Sequence, residues 1–202
     1  MFTGIITDIG TIEKVTVRGD TQFTIASSYD AGGIALGASI CCSGCCLTVT
    51  SVEPRSEGGS RFTVDVSAES LSKTTLGDWA EGSHINLERA LKAGDELGGH
   101  IASGHVDGVT EIIAMRDEGG SRRFTFRVPN ELARFIAPKG SVCLNGTSLT
   151  VNEVDGNTFG ANLIPHTLDV TIWGLAKPGD RINLEIDMLA RYVARLNESL
   201  IK

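Results

Sequence analysis

The chain repeats itself, and that limits it more than any other feature. Ser39-Ile-Cys-Cys-Ser-Gly-Cys-Cys-Leu-Thr-Val49 lies against Ser141-Val-Cys-Leu-Asn-Gly-Thr-Ser-Leu-Thr-Val151, 102 residues further on. Downstream, Phe62, Leu71, Gly77 and Gly82 match Phe159, Leu168, Gly174 and Gly179, and Ile85-Asn-Leu-Glu88 matches Ile182-Asn-Leu-Glu185. There the offset is 97. Separated blocks recurring in the same order indicate a tandem duplication, with residues 1–92 and 98–187 as the copies and Leu91–Gly99 as the linker. Two copies are too few for a solenoid, so each half must close its own core.

Each half reads as β-structure. Thr21–Ser27, Phe62–Val66, His84–Leu87, Arg123–Val128 and Arg181–Ile186 are short runs, mostly alternating and rich in β-branched or aromatic residues. Gly, Ser, Asn and Asp punctuate them. Strands at this spacing predict an all-β chain with a small antiparallel barrel in each half. A helical stretch is expected at Glu131–Ala137, stopped by Pro138. The tail, 188–202, differs: Leu189, Val193, Leu196 and Leu200 form a one-sided helical stripe. Two readings stay open for it, a helix packed on its own barrel or one bundled with symmetry mates.

Composition narrows the function. The net charge of −7 argues against nucleic-acid binding, and Arg122, Arg123 and Arg127 are too few to reverse it locally. No apolar run approaches the roughly 18 residues of a membrane span. The opening Met1-Phe-Thr-Gly4 has neither a basic nor an apolar signal region, so a cytoplasmic location is expected. Five cysteines, an odd number, fit reduced thiols better than a secreted disulfide framework.

The repeated block reads as a hairpin. Asn145-Gly146 is a strong two-residue turn signal, and Ser43-Gly44 occupies the same place in the first half. Beyond each turn the faces alternate, Leu47 and Val49 against Cys46 and Thr48, and Leu149 and Val151 against Ser148 and Thr150. A solvated outer face would explain one copy. Its recurrence in both halves, with a cysteine in one, points instead to a ligand-facing surface. The two pockets would be similar but not identical: Cys46 answers Ser148, Asp65 answers Asn162, and Glu69 answers His166. Two related pockets suggest two copies of one ligand in different chemical parts.

The run Cys41-Cys-x-x-Cys-Cys46 also raises metal binding. Zinc wants four converging ligands, whereas Cys41 and Cys42 point to opposite faces of an extended strand and no second C-x-x-C follows. His100 and His105, five apart, likewise fall on opposite faces. His105 aligns with the opening of the first half, which favours a functional role. No metal site is expected.

Met1-Phe-Thr-Gly-Ile5, Gly44-Cys-Cys-Leu-Thr-Val49, Gly98-Gly-His-Ile-Ala-Ser-Gly-His-Val106, Asn145-Gly-Thr-Ser-Leu-Thr150 and Asn162-Leu-Ile-Pro-His-Thr167 together resemble the riboflavin synthases of the α-chain type, in order from residue 1 to about 187. The resemblance implies two similar six-stranded antiparallel barrels and a C-terminal helix that makes a homotrimer. It implies conversion of two 6,7-dimethyl-8-ribityllumazine molecules into riboflavin and 5-amino-6-ribitylaminouracil, with no cofactor or metal. The active site would lie between the N-terminal barrel of one subunit and the C-terminal barrel of another. Carried over by motif, the substrate-binding residues are Gly4, Ile5 and Ile6; Cys46, Leu47 and Thr48; and Asp65, Val66, Ser67, Ala68, Glu69 and Ser70. In the second half they are Gly104, His105 and Val106; Lys139; Ser148, Leu149 and Thr150; and Asn162, Leu163, Ile164 and His166. Ser148 and Cys46 match positions proposed to assist addition or proton transfer, His105 a proton-transfer histidine, and Ser39 a supporting hydroxyl. Asn145 stands where the family often has Asp, and an amide cannot take a proton as a carboxylate does. Its expected part is to orient substrate or close the turn. Lumazine-binding antenna proteins, non-catalytic monomers with one ligand, resemble the same duplicated chain. They tend to lose the second pocket's polar residues, and this chain keeps Ser148, Thr150 and His166. A flavin-binding barrel of an oxidoreductase is a third reading, but it would normally carry a nucleotide-binding α/β domain.

Overall fold

The structure, a computed structural model, describes residues 1–200. The first barrel is built from β1 (Asp8–Arg18), β2 (Asp20–Ser27), β3 (Ser39–Cys42), β4 (Cys45–Pro54), β5 (Ser60–Val66) and β6 (His84–Arg89). It closes in the order β1-β2-β5-β4-β3-β6. The second uses β7 (Gly108–Glu118), β8 (Ser121–Arg127), β9 (Ser141–Leu144), β10 (Thr147–Asp155), β11 (Thr158–Leu163) and β12 (Arg181–Ile186), and closes the same way. All named strand pairs are antiparallel. Three short helices, α1 (Ala68–Lys73), α2 (Asn130–Ala133) and α3 (Pro165–Val170), cover barrel ends, and α4 (Met188–Leu200) ends the chain.

The longest strands, β1 and β7, escape a search for alternation because each is bulged. Register slips between Ile12 and Lys14 and between Ile112 and Ala114. A bulge breaks the period of two and bends the strand, which helps a six-stranded sheet close. The expected helix over 131–137 is cut short: α2 ends at Ala133. Beyond it the chain continues in tighter i→i−3 bonds, Phe135 N to the Leu132 carbonyl (3.0 Å) and Ile136 N to the Ala133 carbonyl (3.1 Å), before Pro138.

Each barrel holds its own core. Ile12, Phe23, Ile25, Phe62, Val64 and Leu87 fill the first, and Ile112, Phe124, Phe126, Phe159, Trp173 and Leu184 the second. Full burial of side chains of this size contributes about 1.5–3 kcal/mol each. Trp173 meets Phe124 edge-on at 5.4 Å, and its indole N–H donates to Thr147 Oγ1 at 2.9 Å.

Two asparagines, equivalent in the repeat, pin the barrels together. Asn183 Nδ2 donates to the Ser43 carbonyl (2.8 Å), and its Oδ1 accepts from Thr75 N (2.7 Å). Asn86 Nδ2 donates to the Asn145 carbonyl (2.9 Å), and its Oδ1 accepts from Ile172 N (2.9 Å). Both are fully buried, so these four bonds, with longer contacts from Asn86 Nδ2 to Thr147 Oγ1 (3.4 Å) and from Asn183 Nδ2 to Cys45 Sγ (3.8 Å), replace the water their amides give up.

In the tail, Arg191 ties α4 to the second barrel through Asp107, at 2.7 Å, while Leu189 and Val193 are more than half exposed, as is Tyr192 beside them. The polar side of the helix faces its own barrel and the apolar stripe faces away. The side chain of Leu200 lies outside the described ones. Among the described residues no helix is long and apolar enough to cross a membrane.

Candidate active site

Both predicted turns form with both central residues at positive φ: Ser43 (43°) and Gly44 (89°), Asn145 (43°) and Gly146 (80°). This geometry matches strand twist and fixes the register of the hairpin. Cys46 then pairs with Cys41 and Thr48 with Ser39; Ser148 pairs with Cys143 and Thr150 with Ser141. Leu47 and Leu149 point into their barrels and are buried. Cys46 and Ser148 are half-buried on the outer face, with Thr48 and Thr150 exposed beside them.

What covers each face comes from the opposite half. The Gly4 carbonyl, in the first half, accepts from Ser148 N in the second barrel (2.8 Å). The Gly104 carbonyl, in the second half, accepts from Cys46 N in the first (2.8 Å). Between these contacts the two segments pair through Phe2 and Ala102. The approach is close enough to need glycine. A Cβ on Gly4 would stand 2.6 Å from Ser148 Cβ, and one on Gly104 2.6 Å from Cys46 Cβ, and both glycines have φ near +77°.

Two buried carboxylates hold these segments. Glu88 accepts from Thr3 N and Thr3 Oγ1 (both 2.7 Å) and from Gly4 N (2.9 Å). Glu185, its repeat equivalent, accepts from Ser103 N (2.7 Å), Ser103 Oγ (2.6 Å), Gly104 N (2.8 Å) and His105 N (3.1 Å). Burial lifts the Glu88 carboxyl above its usual range, opposed by the donors of Thr3 and Gly4.

The expected site residues therefore gather as two clusters. Cys46, Leu47 and Thr48 stand with Gly104, His105 and Val106; Ser148, Leu149 and Thr150 stand with Gly4, Ile5 and Ile6. β5 runs antiparallel to β4, with Val64 opposite Val49, so Asp65 and Val66, still paired with Gln22 and Thr21 of β2, extend past β4 beside the first cluster. Ser67 caps α1 there by accepting from Ser70 N, and Ala68 and Glu69 open the helix. In the same way β11 brings Asn162, Leu163 and Ile164 beside the second cluster, with His166 in α3. Asn162, Ile164 and His166 are exposed, so both faces are open in the single chain. Ser39 sits across from Thr48, and exposed Lys139 stands at the far end of the second hairpin, its N–H on the Val151 carbonyl.

Asn145 is not with them. Its Oδ1 accepts from Asn183 N (2.9 Å), and it is buried at the junction of the barrels. There it lines a cleft of about 490 Å³ with Ser43, Trp79, His84, Trp173 and Arg181, away from the Ser148 face. The cysteines separate as the alternation predicted. Cys42 lies in the first core and Cys41 between the barrels beside Cys143. Burial pushes all three thiols well up, and Cys45 up to about 12, so they stay protonated at neutral pH. Among the described residues no three His, Cys, Asp or Glu side chains converge on a metal position.

The residue missed by sequence reasoning is His100. Its N–H donates to the Thr3 carbonyl (3.1 Å), and its Nδ1 lies 2.7 Å from Ser148 Oγ. Its Nε2 is buried without a partner. Burial draws its pKa below 6.5, with Asp187 and Glu185 pulling the other way. A neutral imidazole against a serine hydroxyl can exchange a proton with it. The spacing of five did place His100 and His105 on different sides, but only the crossing of the segments shows that His100 reaches Ser148.

The lumazine-binding domain family matches this chain twice, over residues 3–90 and 103–187. The riboflavin synthase of Brucella abortus (strain 2308) is 54% identical over 97% of this chain and 98% of its own. That of Bacillus subtilis (strain 168) is 38% identical over 96% and 89%. Among solved structures, LumP complexed with riboflavin superposes with a TM-score of 0.80 at 23% identity, over 92% of this chain and 99% of that one. LumP complexed with 6,7-dimethyl-8-(1'-D-ribityl) lumazine gives 0.79 at 21%, with the same coverage. With the fold shared at that level and the identity carried by the curated relatives, the chain belongs to the riboflavin synthase family, built on a lumazine-binding domain in duplicate.

Proposed function

We propose that the protein converts two molecules of 6,7-dimethyl-8-ribityllumazine into riboflavin and 5-amino-6-ribitylaminouracil by transfer of a four-carbon unit. The observation that carries this reading is the pair of equivalent hairpin faces, each with a polar pair beside a glycine-fitted segment, in a chain 54% identical to a named riboflavin synthase. The C7 methyl of the lumazine is acidic because its carbanion delocalises into the pteridine, and C7 of the second copy accepts a nucleophile. The substrate supplies its own electron sink. The protein needs two oriented pockets and modest acid–base help. One copy sits at Cys46–Thr48 with Asp65–Ser70 and Gly104–Val106, the other at Ser148–Thr150 with Gly4–Ile6, Asn162–Ile164 and His166, with Lys139 alongside. Ser148 with His100 serves addition or proton transfer; Cys46, His105 and Ser39 serve the other copy; Asn145 holds the turn.

The faces are open in one chain and α4 presents an apolar stripe, which supports a homotrimer whose sites close between neighbours. In this reading residues 1–92 and 98–187 are the two lumazine-binding units and 188–202 the trimerisation segment, in a cytoplasmic enzyme needing no metal or cofactor. LumP, solved with riboflavin and with the lumazine, represents the competing reading, a binding protein without turnover.

Incubation of the chelator-treated protein with 6,7-dimethyl-8-ribityllumazine alone separates the two. One riboflavin per two lumazines, from a particle of three chains, is expected; tight binding without product would sink the enzyme reading. Ser148→Ala should lower kcat by about 10²-fold, the scale of a lost proton-transfer group, and weaken lumazine binding much less. Equal turnover in mutant and wild type would remove Ser148 from the chemistry.

His100 sets a pH signature. Its pKa is depressed, so the neutral form persists below pH 6.5. Activity should therefore hold until the pH falls through that lowered value, and His100→Gln should abolish this acid limb in the kcat/KM profile. An unchanged limb in the mutant would assign it to another group.

A further inference from the structure

We infer that Glu185 and Glu88 are positioning residues that act across the barrels, each building the substrate face of the barrel it does not belong to. The inference rests on the functional reading above and adds residues that the pocket motifs do not contain. Glu185 belongs to the second barrel, at the end of β12, yet the segment it holds, Ser103 to His105, lies on Cys46 in the first. Glu88 belongs to the first barrel, yet it holds Thr3 and Gly4, which lie on Ser148 in the second. The carboxylates are 2% and 4% exposed, and every donor described on them comes from these segments.

Chemistry explains why a carboxylate is needed. Each site offers three or four N–H and O–H donors converging from one side, and an ionised carboxylate is the only side chain with two oxygens that accept without donating. A glutamine could satisfy the donors on one oxygen but would turn an NH₂ toward those on the other. At Glu185 that confronts Ser103 or Gly104 and His105; at Glu88 it confronts Thr3 or Gly4. The fit between segment and hairpin leaves no slack, since a single Cβ at Gly4 or Gly104 would overlap backbone of the hairpin beneath. Releasing the segment therefore changes the face it covers, and the face is in the other barrel.

Thiol labelling reads the two faces separately. Cys46 is half-buried and the other four cysteines are buried, so a thiol reagent reports on the first face. Ser148→Cys places a second thiol on the other face, and peptide mapping distinguishes the two. In that background Glu185→Gln should raise the labelling rate of Cys46 by about tenfold, the shift of a local opening equilibrium when charged hydrogen bonds are lost, and leave position 148 unchanged. Glu88→Gln should do the reverse. Labelling that rises in the mutated residue's own barrel, or equally in both, overturns the inference. Should either variant fail to fold by circular dichroism, Ser103→Ala and Thr3→Val remove one hydroxyl donor each and must show the same crossed pattern in smaller measure; no change, or an uncrossed one, overturns it as well. Protection by 6,7-dimethyl-8-ribityllumazine is scored in parallel. A parent that the lumazine protects at neither thiol refutes the functional reading, while the crossed rates without ligand still decide the positioning.

Discussion

Gly104→Ala is expected to lower turnover by about 10²-fold in a protein that still folds. The new Cβ would meet Cys46 Cβ at 2.6 Å and Cys46 N at 2.8 Å. Backbone lies on that side, so no side chain can swing away. The residue also sits at φ +77°, where an L side chain costs about 1–2 kcal/mol. The strain is small against the stability of a folded domain, and the segment lies at the surface of the barrel rather than in its core. What the methyl group destroys is placement. The segment carrying His105 and Val106 must lift from Cys46, and a displacement near 1 Å at a reacting centre costs about 10²-fold in rate. Steady-state assay with the lumazine, beside a thermal melt, checks both halves of the statement. Wild-type turnover with an unshifted melt would mean that the fit at Gly104 has no bearing on the chemistry.

Asn183→Ala should have the largest effect on stability. The amide is 1% exposed and bridges both barrels. Removing it strands the Ser43 carbonyl and the Thr75 N–H, each bonded to it at under 3 Å. A buried polar group without a partner costs about 1–3 kcal/mol, so the pair together costs about 2–6 kcal/mol. Denaturant unfolding should show the midpoint falling, with the two barrels losing their common transition. A loss below about 1 kcal/mol would mean that water replaces the amide at both ends.

Much of this was legible in the chain. The duplication survives in short blocks such as Asn145-Gly146 and Ile182–Glu185, whose residues are fixed by turn geometry and by burial, and neither tolerates much change. The hairpin faces followed from a period of two, because Leu47 and Leu149 must enter a core. The strands β1 and β7 did not, since their bulges interrupt that period. The crossing of the opening segments was invisible. It depends on hydrogen bonds between residues 80 to 85 positions apart, through Glu88 and Glu185, and on glycines whose small size matters only once a neighbour is known. His100 was hidden for the same reason. Read locally it is one of two histidines five apart on opposite faces; read in space it touches Ser148. Asn145 went the other way, connected with the chemistry by the resemblance, at a position that is often Asp, and held by the structure at the junction.

The exchange of segments has a consequence for how such a chain could arise. The backbone bond from hairpin to arm occurs twice, Ser148 to Gly4 and Cys46 to Gly104, as in two half-length chains that trade their leading arms. Joining such chains end to end turns an association that depends on dilution into an intramolecular one, at an effective concentration set by Leu91–Gly99. Once fused, the copies no longer have to stay alike, and Asp65 against Asn162 and Glu69 against His166 record that divergence. The leading arm of the second copy gains a task too: it brings His100 to Ser148 and so makes one face chemically unlike the other.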